Sequence, residues 1–177
     1  ALKLAQKLNE RGHEIIMFAA NEKIENKELI ARYSPYIKSK HSLSDWPVVK
    51  FIASKLNSLF RRLGFGDVLI KKVRAYFLRS VIKTQKVDLI CSHSPRSDIT
   101  CGDAVKNSNI PLVMIEHGIY SHYLFTGRNQ LLKPLLSASN IIAVSDFCNK
   151  KIKSYVGASA QISTIYNGVS IVPTHSR

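Results

Sequence analysis

Apolar residues along this chain recur with two periods, and the alternation between them lays out most of a fold. Residues 1–11 place Leu4, Ala5 and Leu8 on one helical face, with Lys3, Lys7 and Glu10 mostly opposite. Gly12 stands where such a helix stops. Residues 14–20 (EIIMFAA) follow as a mostly apolar run, the pattern of a strand covered on both faces. Residues 34–46, with Pro35 inside and Pro47 just beyond, carry polar spacers and read as a long loop. Helices are predicted over 48–63 and 67–84, split by Gly64-Phe65-Gly66. Beyond them strands at 87–92, 111–116, 140–144 and 161–165 alternate with helices at 98–107, 129–138 and 146–155.

Strands alternating with helices of about ten residues predict right-handed βαβ units on a parallel sheet. The expected class is therefore α/β, a Rossmann-like parallel sheet flanked by helices. Chains of this kind open on a strand, whereas this one opens inside a helix. The expectation is a fragment lacking a first strand and the turn after it, which in such sheets approaches the ligand.

Composition narrows the class. With 177 residues and 45% apolar content, the chain has enough for one domain with a sizeable core and is not of a disordered type. No run reaches the roughly 18 apolar residues of a membrane span. Residues 1–11 lack the basic and apolar blocks of a secretory leader. The three cysteines, Cys91, Cys101 and Cys148, have no metal-ligand spacing and read as buried thiols in a reducing cytoplasm.

Three stretches carry candidate chemistry. In 111–120 a strand ends in Glu116 and His117 followed by Gly118. Ligands of open α/β sheets are met at the carboxyl ends of strands, and a glycine lets backbone come close to a sugar or phosphate. The same residues also fit a turn in which His117 bonds a neighbouring loop. In 139–146 a second apolar strand ends at Ser145, which either meets a ligand or caps the next helix. In 162–169 a strand ends in Tyr166-Asn167-Gly168, a turn leading to a hairpin or a further domain. Arg96, after the strand at 87–92, is a candidate acceptor or phosphate contact.

Taken in order, RGHEIIMF, VDLICSHS, IPLVMIEHGIY, ASNIIAVSDF and ISTIYNGVSIVP resemble the amino-terminal half of group 1 glycosyltransferases, retaining enzymes of the GT-B type. The likeness covers nearly the whole chain, with residues 22–86 matching only in kind. It implies a UDP- or GDP-sugar donor, transfer with retention, no required metal and no cofactor. It also implies an acceptor-side domain over residues 1–170, with 171–177, including Pro173, beginning a linker to a donor-binding domain. The family's strand-end histidine and glycine fall on His117 and Gly118, and its turn toward the donor domain on Asn167 and Gly168. The donor domain and its paired glutamates have no counterpart in these residues, so the chain alone is expected to be inactive.

Net charge is +14, and its placement matters. Residues 48–86 hold ten Lys or Arg, among them Arg61, Arg62, Lys71, Lys72 and Arg74, against the single acid Asp67. Apolar residues recur there at helical spacing. Two helices packed on the sheet with solvated basic faces explain this pattern, and so does a basic helix lying on an anionic membrane. Each Lys or Arg near such a surface adds about 1 kcal/mol. The second reading suits a lipid-linked acceptor and a cytoplasmic domain peripheral on the inner face of the membrane. Nucleic acid is disfavoured, since no RNP-like, zinc-finger or helix-turn-helix pattern is present. A non-catalytic α/β module that needs a partner chain is the alternative function. A dehydrogenase is less supported, because the strand ending Ala19-Ala20-Asn21 has its acid, Glu22, only beyond its end.

Overall fold

The computed structural model describes residues 1–19, 27–117, 131–157 and 160–168. Helix α1 (Leu2–Asn9) leads through a turn at Gly12 (φ 87°) to β1 (Ile16–Ala19). Then come α2 (Lys27–Tyr33), β2 (Ser39–Ser42), α3 (Pro47–Arg62) and α4 (Val68–Thr84). After these, β3 (Ile90–Ser92), α5 (Pro95–Val105) and β4 (Leu112–Glu116) follow, then α6 (Leu132–Ser137), β5 (Asn140–Ala143), α7 (Asp146–Val156) and β6 (Ile162–Thr164). Among the described residues all strand pairs are parallel. One sheet has the order β3-β4-β5-β6, and β1 pairs with β2 in a second. The architecture is the expected α/β one, with parallel sheets flanked by helices.

The main core lies along β3, β4 and β5, where Leu112, Met114, Ile141 and Ala143 meet Leu135 of α6 and Ile152 of α7. Each large aliphatic side chain removed from water there contributes roughly 1.5–3 kcal/mol. A smaller core of Leu43, Ala53, Ile70, Phe77 and Val81 sits beside β1. Phe18 of β1 packs against both cores, and Trp46 meets Phe77 edge-on at 4.6 Å. Gly102 of α5 is required by packing, because a Cβ there would lie 2.9 Å from the Pro134 Cβ of α6.

Two sequence expectations are corrected and one further helix is added. The loop expected at 34–46 contains β2, registered Ile16↔Ser39 through Ala19↔Ser42. Its SKHS sequence has no apolar alternation, because the strand is held by ladder hydrogen bonds to β1 rather than by a buried face of its own. Helix α2 was not marked by any periodic pattern. The strand expected from Val87 starts only at Ile90, because the chain leaves the end of α4 through a Schellman turn that takes up Lys86 and Val87. In that turn Val87 N–H donates to the Ile82 carbonyl, Lys86 N–H donates to the Lys83 carbonyl, and Lys86 takes φ 51°. Ala20, Gly118, the beginning of the helix expected from residue 129 and residues 171–177 lie outside the described residues.

Candidate functional site

With every strand parallel, the carboxyl ends of β3, β4, β5 and β6 open on one edge of the larger sheet. Along β4, Leu112, Met114 and Glu116 alternate inward, so Glu116 is 2% exposed and shares the core face. His117, the next residue, emerges on the other side and is exposed. One strand end thus divides the two candidates: His117 faces the edge and Glu116 lies beneath it.

His117 has a partner that the sequence reading did not single out. His93, just past β3, brings its Nδ1 to 3.4 Å from the His117 Nε2. The two rings stack with centroids 5.7 Å apart and planes 21° from parallel. The Nε2 of His93 lies 3.8 Å from the Cys91 Sγ. The signal was present, since His93 ends an apolar strand just as His117 does, directly before the Ser94-Pro95 helix start.

That start explains a correction to Arg96. Ser94 caps α5, its hydroxyl accepting from the Ser97 N–H, with Pro95 at the first helical position. The helix therefore begins three residues before the expected Asp98, and Arg96 sits on its first turn rather than in a loop. Asp98 is fully buried and accepts a hydrogen bond from the Ser92 hydroxyl of β3 at 2.5 Å, fastening the strand to the helix below the two imidazoles.

Ser145 caps α7, its hydroxyl accepting from the Cys148 N–H at 3.2 Å. Tyr166 donates to Asp146 at 2.9 Å, and Asn149 to the Thr164 hydroxyl at 2.9 Å, tying the end of β6 to the start of α7. Asn167 and Gly168 follow as exposed residues, with open space around Gly168. Arg96, Lys71 and Arg74 line one cleft of about 220 Å³ between α4 and α5, together with Asp67. Arg74 and Lys71 are half-buried there, whereas Arg61, Arg62 and Lys72 are exposed.

The electrostatics keep both imidazoles neutral. Burial above all, with His117 alongside, lowers the His93 pKa from 6.5 to about 4. Partial desolvation holds His117 below its ordinary range. The thiol of Cys101, on α5 itself, is pushed up to about 12, first by burial and then by the Asp98 carboxylate. Two neutral imidazoles can donate and accept hydrogen bonds with hydroxyls or phosphate oxygens, without the cost of holding a buried charge. Among the described residues no group of three His, Cys, Asp or Glu side chains is placed to hold a metal ion.

A pH dependence follows from the depressed pKa values. The unfolded chain binds more protons than the folded one between pH 6.5 and about 4. The stability at stake is fully present above pH 6.5 and is lost as pH falls through that window. After discounting for the ring's remaining solvent contact, the loss from His93 is about 2 kcal/mol. Urea midpoints at neutral pH and near pH 4 measure it. The His93→Asn protein is expected to show a shallower decline, and an equally steep one would assign the loss to other groups.

Parallel strands flanked by helices, with polar side chains gathered past their carboxyl ends, define an α/β domain of the Rossmann-like type. The sequence model of Glycosyltransferase Family 4 matches residues 1–172, and the chain belongs to that family. It is thus a glycosyltransferase domain of the group 1 kind. No curated protein matches the chain. No helix among the described residues is long and apolar enough to cross a membrane.

Proposed function

We propose that this chain is the acceptor-side domain of a retaining, GT-B type glycosyltransferase. On this reading the enzyme moves a sugar from a UDP- or GDP-linked donor to a glycan or lipid-linked acceptor. The His93–His117 pair at the strand ends is the observation that carries the reading beyond family membership. It sets a neutral hydrogen-bonding group where ligands of open α/β sheets are met. His117 contacts the transferred sugar or the acceptor hydroxyl, while His93 fixes the orientation of its ring. Gly118 allows close approach beside it, and Asn167 and Gly168 lead toward a donor-binding domain. Arg96 contacts acceptor or phosphate from the first turn of α5. Glu116 and Ser145 support the strand ends, one from the core face and one as a helix cap.

The leaving nucleoside diphosphate needs cationic and N–H donors around its phosphates, which this reading assigns to the donor-binding domain. No metal and no cofactor are required. The 177-residue chain alone therefore does not turn over, and transfer needs both domains. The test compares the isolated chain with the two-domain protein on a panel of UDP- and GDP-sugars, reading the anomeric proton of the product by NMR. Retained configuration with the two-domain protein and no product from the chain alone is the expected result. Product from the isolated chain, or inverted configuration, would overturn the reading.

A further inference from the structure

Helix α3 is amphipathic, yet its apolar side is turned away from the domain. Its inward line is short: Ala53 and Asn57 are its buried residues. Asn57 fastens it to α4, its side-chain oxygen accepting from the Ile70 N–H at 3.1 Å and its amide donating to Asp67 at 2.8 Å. Val48, Ile52, Leu56, Leu59 and Leu63 recur at spacings of four, four, three and four, which is one stripe of a helix. All five are exposed, with Ile52 at 52%, Leu59 at 51% and Leu63 at 62%. Phe65, just beyond, is also exposed and meets Phe60 at a tilt, with ring centroids 5.8 Å apart. A contiguous apolar face of this kind marks a contact surface rather than ordinary surface scatter.

Charge decides what that surface meets. Neither α3 nor α4 contains an acid. Lys55 and Arg62, seven residues apart, border the stripe on its outer side, and the Lys55 Nζ sits 5.6 Å from the centre of the Phe51 ring. Asp67, the single acid of 48–86, is already engaged by Asn57 and lies 3.8 Å from Arg61. A second copy docked on the stripe would set these cations against its own, so self-pairing is electrostatically opposed. The complement is a surface that is apolar beneath and anionic above.

We propose that α3 lies in the interface of an anionic lipid bilayer. The Ile52–Leu56–Leu59–Leu63 stripe enters the acyl boundary, and Lys55, Arg62 and Lys72 rest on lipid phosphates. This contact is separate from the transfer reaction, so either can fail alone. Co-sedimentation with phosphatidylcholine vesicles, with and without one-third phosphatidylglycerol, tests it at about 0.15 M salt. Binding to the anionic vesicles is expected to be at least about tenfold the stronger. The Ile52→Ser/Leu59→Ser protein is expected to lose about tenfold of that binding, and Lys55→Glu/Arg62→Glu a similar amount. All four positions are exposed, so circular dichroism and melting should match the parent. Equal binding to both vesicle types, or binding indifferent to the Ile52/Leu59 changes, would overturn the proposal. So would a dimer in solution that those changes dissolve while vesicle binding is absent.

Discussion

The His117→Ala form of the complete enzyme is expected to transfer sugar about a hundredfold more slowly than the parent. The imidazole stands past the end of β4, exposed, with its Nε2 turned to His93. On the proposed reading its other nitrogen meets the sugar, and partial desolvation holds it below its ordinary range, which favours the neutral ring. A neutral hydrogen bond that strengthens as charge develops in the transition state is worth about 2–3 kcal/mol, hence the hundredfold. Most of the loss should fall on kcat/KM with little change in melting temperature, because an exposed ring carries little of the core. His117→Asn, which keeps a side-chain donor and acceptor, should recover part of the rate. An unchanged rate in His117→Ala would remove the residue from the site.

The second large effect is structural. Asp98→Ala should destabilise the fold by about 3 kcal/mol, lowering the melting temperature by about 10 °C. Asp98 is fully buried, accepts from Ser92 on β3 and sits in the first turn of α5, where a helix favours negative charge. Truncation leaves the Ser92 hydroxyl buried without its acceptor and opens a small void between strand and helix. Asp98→Asn keeps the shape and one acceptor oxygen, so it should cost distinctly less. Calorimetry on the three proteins gives the ordering, and an Ala form as stable as the parent would contradict it. The loss should also loosen His93, which is bonded into the chain one residue beyond Ser92.

These two residues show where the chain was legible as sequence. The β4 segment declared itself because 111–115 is apolar and then breaks into Glu116 and His117 before a glycine. That break depends on local periodicity alone. In the sequence Asp98 shows only as the first residue of a helix, because its partner on β3 is six residues back and across a turn. His93 ends its strand as plainly as His117 does, but without a following glycine it did not stand out. The stacking of the two rings depends on β3 and β4 pairing, a tertiary fact. Strand β2 was illegible for the opposite reason: SKHS has no apolar rhythm, and its ladder partner supplies what its side chains do not. The basic helices were found at nearly their true bounds. Their periodicity could not say which apolar side would be covered, because on α3 the covered line is only Ala53 and Asn57.

That narrow attachment has a mechanical consequence. Asn57 grips both the Ile70 amide and Asp67, so α3 cannot roll about its axis without breaking two hydrogen bonds at once. Its neighbour α4 is joined in turn to α5, where Arg79 donates to the carbonyls of Asp103 and Ala104. Helix α5 springs from the turn that carries His93. The series forms a stiff bracket from the outer helix to the strand-end histidines. Whatever α3 rests on therefore sets the height and tilt of that ledge, and an acceptor anchored in the same plane would always reach it from one direction.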